Sequence, residues 1–157
     1  MESLSEKFPD YFISSEEVNG EVHAVVTGTG LITVCRFLRD EQGYDYPADL
    51  CAWDTGEEII VWYRLYSMTA NKTVILKVQL LRDKAEVPSV TPIWAGMNWH
   101  ERECFDLFGI NFIGHPDNGD PELMRILLPE DWEGHPFRKD YEPVFSGDPL
   151  HGPQETN

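Results

Sequence analysis

The chain has 157 residues and 18.1 kDa, enough for one domain with a sizeable core and no need of disulfide staples. Twelve basic against 28 acidic side chains give a net charge of −16, a field that repels phosphate backbones and anionic lipid and so argues against both as partners. The longest apolar run, Ile59–Tyr63, is far too short to span a bilayer, and the start, MESLSEKFPDYF, predicts no secretory signal. Three cysteines, Cys35, Cys51 and Cys104, stand 16 and 53 residues apart with no CxxC pair. They read as small buried side chains in a reducing compartment rather than as a disulfide framework, a cluster site or a zinc site.

In chain order, Val22–Val26 reads as a strand, broken by Thr27-Gly28-Thr29-Gly30. Leu31, Val34, Cys35 and Leu38 recur at the i, i+3, i+4, i+7 spacing of an amphipathic helix, with Gly43 as the stop. Three strands follow, over Ala48–Trp53, Ile59–Tyr66 and Thr73–Leu81, and Ala70-Asn71-Lys72 suits a hairpin turn between the last two. In the third, Val74, Leu76, Val78 and Leu80 alternate with Thr73, Lys77 and Gln79, so one face is buried. Pro92 is placed to open a short helix, and a second helix runs from about Asn98 to Phe108 and stops at Gly109. This order predicts an α+β fold: a two-layer sandwich of a mostly antiparallel sheet with helices on one face. Residues 1–110 form the core domain in this reading, and 111–157 an extended C-terminal segment. Seven of the eleven prolines fall in residues 115–157, with 10 acidic and 3 basic side chains, a composition that blocks regular helix and central strand.

The densest polar stretch is Trp99-His100-Glu101-Arg102-Glu103-Cys104-Phe105-Asp106. His100-Glu101 is like the start of a zinc-protease helix, but the second histidine is replaced by Cys104. Arg102 and Asp106 are helical i, i+4 partners, and Glu103 and Asp106 share a face, which reads as an ion-paired or docking surface; no cleft in the sequence makes them an acid/base pair. His115 and His135, each followed by proline, read as loop histidines making hydrogen bonds rather than as ligands. Arg125, Arg138 and Lys139 pair either locally, with Asp131 or Asp140, or with carboxylates of a partner. Trp132 and Tyr141 are core plugs or interface anchors. No phosphate-binding loop, dinucleotide fingerprint or nucleophile elbow is present.

Glu101-Arg102-Glu103, Asp106-Leu107-Phe108-Gly109-Ile110, Gly114-His115-Pro116-Asp117, the run Arg125-Ile126-Leu127-Leu128-Pro129-Glu130-Asp131-Trp132-Glu133-Gly134-His135-Pro136 and Arg138-Lys139-Asp140-Tyr141 together resemble one signature, in the right order across Trp99–Tyr141. It is that of the C subunit of bacterial respiratory complex I, the proton-translocating NADH:quinone oxidoreductase, whose mitochondrial counterpart is the iron–sulfur protein subunit 3. The chain departs from it at the inserted Asn118-Gly119-Asp120-Pro121-Glu122, at Met124 in place of a second arginine, and at Cys104 in place of an aliphatic residue. The resemblance implies a non-catalytic subunit of the peripheral arm, held on the cytoplasmic face of the cell membrane through partners alone. It implies no cofactor in this chain, with NADH, FMN, iron–sulfur clusters and quinone (ubiquinone or another) on other subunits. It also implies docking on the quinone-site subunit, called the D subunit, and on neighbouring iron–sulfur subunits, with the proline-rich segment wrapping the partner. The interface residues it implies are Glu101, Arg102, Glu103, Asp106, His115, Arg125, Asp131, Trp132, Arg138, Lys139, Asp140 and Tyr141. Two other readings stand beside it. One is the equivalent subunit of a ferredoxin- or F420-linked quinone reductase or a membrane-bound hydrogenase. The other is a free-standing metal-dependent hydrolase built on His100, Glu103 and the loop histidines.

Overall fold

A computed structural model describes residues 4–120 and 124–142. After a single helical turn, α1 (Leu4–Lys7), come strands β1 (Phe12–Val18) and β2 (Glu21–Val26), helix α2 (Leu31–Asp40), strands β3 (Tyr46–Asp54), β4 (Glu58–Ser67), β5 (Lys72–Leu81) and β6 (Glu86–Pro88), helix α3 (Met97–Phe108) and strand β7 (Asn111–Ile113). The main sheet runs β1-β2-β5-β4-β3. Every pairing in it is antiparallel except β2 with β5, and β6 and β7 make a small parallel sheet of their own. No helix among the described residues is long and apolar enough to cross a membrane.

The expected α+β sandwich is present, and its periodicities explain it. Ile59, Val61, Tyr63 and Leu65 of β4 and Val74, Leu76, Val78 and Leu80 of β5 turn alternate side chains into one buried cluster. Leu31, Val34, Cys35 and Leu38 of α2, with Met97 and Cys104 of α3, join that cluster, so both helices cover the same sheet face. Thr27 opens the first helical stretch: its Oγ1 accepts from the Gly30 N–H at 3.2 Å, within a single 3-10 turn that leads into α2. Gly109 ends α3 in the left-handed region at φ 70°, where a glycine carries no Cβ penalty.

The structure overturns one reading and adds one strand. Pro92 opens no helix. Residues 91–96 form turns in which the Ile93 and Trp94 N–H groups both donate to the Val90 carbonyl, at 2.9 and 3.0 Å, while both side chains are buried. A strand also precedes Val22–Val26. β1 is largely exposed and carries no apolar alternation, because it is an edge strand wetted along its length. The sequence signal for it is Asn19-Gly20, which sits at φ 53° and 81° and closes the β1–β2 hairpin.

The contrast between centre and edge is measurable. Leu76→Ala, in the fully buried middle of β5, should lower unfolding free energy by about 2–5 kcal/mol in urea titrations. Ser15→Ala on β1 should stay within about 0.5 kcal/mol of the parent chain.

Candidate functional site

Helix α3 divides its polar residues between two faces. Glu101 and Asp106 point inward and are fully buried, whereas Trp99 and Glu103 face out. Glu101 Oε1 accepts from the Val90 N–H at 2.7 Å, and the Ser89 side chain also hydrogen-bonds this carboxyl. Ser89 N–H in turn donates to the Ile113 carbonyl at 2.9 Å. Glu101 therefore ties α3 to the turn that follows β6. Burial pushes its carboxyl up from 4.5 to about 7, with these two hydrogen bonds acting the other way.

Asp106 does the same for the chain beyond the helix. Its Oδ1 accepts from Arg125 Nη1 at 2.7 Å, and its Oδ2 accepts from the backbone N–H groups of Ile126, Leu127 and Leu128 at 3.2, 2.8 and 2.9 Å. Three consecutive N–H groups closing on one carboxylate oxygen make a concave anion nest, here filled from within the chain. Burial raises the Asp106 carboxyl, but Arg125 and the three N–H donors outweigh it and hold the group below the usual carboxylate range. Arg125 Nη2 reaches on to the Trp132 carbonyl at 2.9 Å, and Arg102 Nη2 donates to the Arg125 carbonyl at 2.8 Å.

The tail then satisfies the end of α3. A helix leaves its last carbonyls without intrahelical partners. Here the Asp106 carbonyl accepts from His135 Nδ1 at 2.9 Å, Leu107 from the Phe137 N–H at 3.0 Å, and Phe108 from Arg138 Nε at 2.7 Å. His135 lies edge-on to Phe105 and sits so close to Gly109 that a Cβ there would collide with its ring. A second clamp holds the next residues. Asp54 is buried and accepts from Arg82 Nε and Nη2 at 3.1 Å, from the Gly56 N–H at 2.8 Å and from the Lys139 N–H at 2.9 Å. Burial raises this carboxyl too, and Arg82 with the two N–H donors outweighs it and brings it down to about 2. Arg82 also pairs with Asp140, while Lys139 Nζ donates to the Thr55 carbonyl at 2.9 Å.

Several sequence-based pairings are thereby corrected. Arg102 does not pair with Asp106: it lies over the Trp99 ring, and Asp106 takes Arg125 because that arginine crosses the buried side of the helix. Arg125 pairs with neither Asp131, which is exposed, nor Asp140, which Arg82 holds. Arg138 needs no outside surface to order it, since it caps Phe108 and donates to the Arg82 carbonyl at 3.2 Å. His115 is buried, its Nδ1 accepting from the Asp117 N–H at 3.1 Å and its Nε2 facing the Asn98 carbonyl at 3.3 Å. With His135 on Phe105 and His100 3.8 Å from Asp49, the histidines do not converge. Among the described residues no group of three His, Cys, Asp or Glu side chains is arranged to hold a metal. Trp132 and Tyr141 stack at 6.5 Å. Met124, in place of the second arginine, is a buried plug, while Pro121 and Glu122 of the inserted loop lie outside the described residues. Sequence reasoning missed Asp54 and Arg82, because the partners of Asp54 stand 28 and 85 residues away.

The fold is thus an α+β sandwich whose last helix is capped by its own proline-rich tail through buried Asp–Arg clamps. The family model described as "Respiratory-chain NADH dehydrogenase, 30 Kd subunit" matches residues 24–145, which include both clamps, and the chain belongs to this family. The NADH-quinone oxidoreductase C subunit of Roseiflexus sp. (strain RS-1) is 43% identical over 145 residues, 89% of this chain and 80% of that protein. The combined C/D subunit of the same enzyme in Psychrobacter cryohalolentis is 38% identical over 152 residues, 90% of this chain and 25% of that longer protein. Among solved structures, a trypsin-resistant fragment (1–134) of Nqo5 superposes with a TM-score of 0.64 at 26% identity, covering 73% of this chain and 95% of the fragment.

Two measurements test the site. Asp106→Ala strands Arg125 and the nest, and should cost about 3–5 kcal/mol in chemical unfolding while exposing Arg125 and Arg138 to limited trypsin cleavage. The two kinds of buried carboxyl also give stability opposite pH slopes. Glu101 keeps its proton in the folded state up to about 7, whereas the unfolded chain releases it at 4.5. Stability should therefore fall by about 3 kcal/mol as pH rises between those values. Asp54, lowered from 3.8 to about 2, contributes fully above 3.8 and loses its contribution as pH falls toward 2. Urea midpoints across pH should peak between these limbs, and Glu101→Gln should flatten only the upper one.

Proposed function

We propose that this chain is a non-catalytic scaffold of the peripheral arm of a proton-translocating NADH:quinone oxidoreductase, docked on the D subunit that holds the quinone site. Family membership makes it a subunit of an NADH–quinone oxidoreductase, an enzyme complex. The observation that carries the scaffold reading is the occupation of the signature's polar groups: Glu101, Asp106, Arg125 and Arg138 each hold backbone of this same chain in place. Residues so committed position a surface rather than react. The choice of the D subunit as neighbour is supported by the Psychrobacter protein, in which a region like this chain is part of one polypeptide named C/D.

In this reading the segment 111–157 lies along the partner, with residues 125–142 held by the clamps and Leu127, Trp132 and Phe137 presented outward. Asp131 stands on the exposed side of the same loop. NADH, FMN, clusters and quinone sit on other subunits, and the chain reaches the cytoplasmic face of the membrane through them.

Affinity capture of the tagged chain from solubilised membranes should recover the D and iron–sulfur subunits, and the purified chain should be colourless and metal-free. Arg138→Ala removes a cap from Phe108 and loosens the tail, so complex abundance on native gels should fall several-fold while quinone-reductase turnover per assembled complex stays near normal. Full abundance with a large loss of turnover would refute the scaffold role.

A further inference from the structure

A cleft also lies beside α3, apart from the clamps. It runs between β3 and α3, with a volume of about 210 Å³, floored by Leu50, Cys104 and Phe108 and walled at one end by Phe137. A lined cavity of about 150 Å³ accommodates a benzene ring, so this one has room for a single aliphatic or aromatic side chain. Phe137 packs edge-on to Phe108 at 5.6 Å yet remains 59% exposed. Its backbone N–H is fixed to the Leu107 carbonyl, so an exposed ring is held in place rather than folded away. Cys51 lines the cleft, and Trp53, on the same side of β3, is 55% exposed.

The rim is acidic. Asp49 and Glu103 stand on the two elements that form the cleft. Glu103 is exposed and makes no ion pair among the described residues, and the nearest cationic candidate to Asp49 is His100 at 3.8 Å. Carboxylates of Glu16, Glu21, Glu41 and Asp40 are each matched by a lysine or arginine, whereas exposed Glu57, Glu130, Asp131 and Glu133, like Glu103, make no ion pair among the described residues. An apolar floor flanked by two carboxylates lacking such a partner is complementary to an apolar side chain with a cation beside it. β3 is the second edge strand of the sheet, opposite β1, so no further strand of this chain covers this border among the described residues.

We propose that the β3–α3 cleft seats an apolar side chain from another protein of the complex, carried on a segment whose adjacent lysine or arginine pairs with Glu103 and Asp49. This deepens, and rests on, the scaffold reading above.

The test uses the native cysteines of the full chain. Cys51 is half-buried at the cleft, whereas Cys35 and Cys104 are buried and serve as internal references. N-ethylmaleimide should label Cys51 in the isolated chain and label it at least about tenfold more slowly in the purified complex. Glu103→Lys, at an exposed position that leaves the fold intact by unfolding midpoint, should reduce recovery of the chain in the complex about tenfold, and the isosteric Glu103→Gln should reduce it less. If the chain assembles but Cys51 labels equally fast in both states, the cleft is empty in the complex and this inference falls while the scaffold role stands. Recovery unaffected by Glu103→Lys would overturn the cationic partner. Protection of Cys51 in the isolated chain, with a dimer seen by sedimentation, would assign the cleft to a second copy instead. Failure to capture any respiratory protein would remove the scaffold reading and this one with it.

Discussion

The C-terminus of α3 is the constraint on which the second half of the molecule depends. A helix ending at Gly109 inside the protein leaves carbonyls that need donors, and each left bare would cost about 1–3 kcal/mol. The tail supplies those donors one after another, from His135, Phe137 and Arg138. It can do so only if its path is fixed upstream, and the Asp106–Arg125 pair fixes it. One carboxylate oxygen meets the guanidinium and the other gathers three backbone N–H groups, which sets the direction of residues 125–128. A proline-rich segment unable to build a ladder of its own thus acquires a single course by borrowing the helix's unmet bonds.

The same helix carries a second buried carboxylate with the opposite electrostatic character. Asp106 and Asp54 are charged and well supplied with donors, so folding favours their ionised forms. Glu101, equally buried, has one oxygen engaged and Oε2 unpartnered, so folding favours its protonated form. The difference is one of donor supply, not of distance along the chain. Asp106 stands where a tail crosses the helix end, whereas Glu101 faces the apolar core around Tyr63 and Cys35. The two carboxylates lock opposite ends of α3, to the turn after β6 and to the tail, so the helix is fixed between the sheet and the C-terminal segment.

Much of the sheet was legible because its central strands obey period-two burial, as Val74 to Leu80 do. The edge strand β1 was not, because its exposed residues carry no such alternation and its one mark is the Asn19-Gly20 turn. The three-residue strands β6 and β7 are too short to show any period. For the site, the signature marked the right residues, but spacing assigned wrong partners. Helical i, i+4 logic pairs Arg102 with Asp106, and nearness in sequence pairs Arg125 with Asp131. Both rules assume that a charged side chain on a helix or loop faces water. Asp106 is fully buried, and a buried carboxylate draws its partners from whatever crosses the interior, here 19 residues away. The Asp54–Arg82–Asp140 set was invisible for the same reason, since its members are joined only by the fold.

Burying the charged signature also separates ordering from recognition. Arg125 and Arg138 make their bonds within this chain, so the described tail residues 125–142 carry their own ordering contacts. Binding then loses less conformational entropy than docking of a loose segment would, which favours tight association for a given area. The described tail leaves an outward layer exposed: Leu127, Trp132 and Phe137 among Glu130, Asp131 and Glu133. On a chain of net charge −16, such a layer repels acidic surfaces and anionic lipid alike. In the scaffold role proposed above, the clamps act on recognition indirectly, by holding this outward pattern in one geometry.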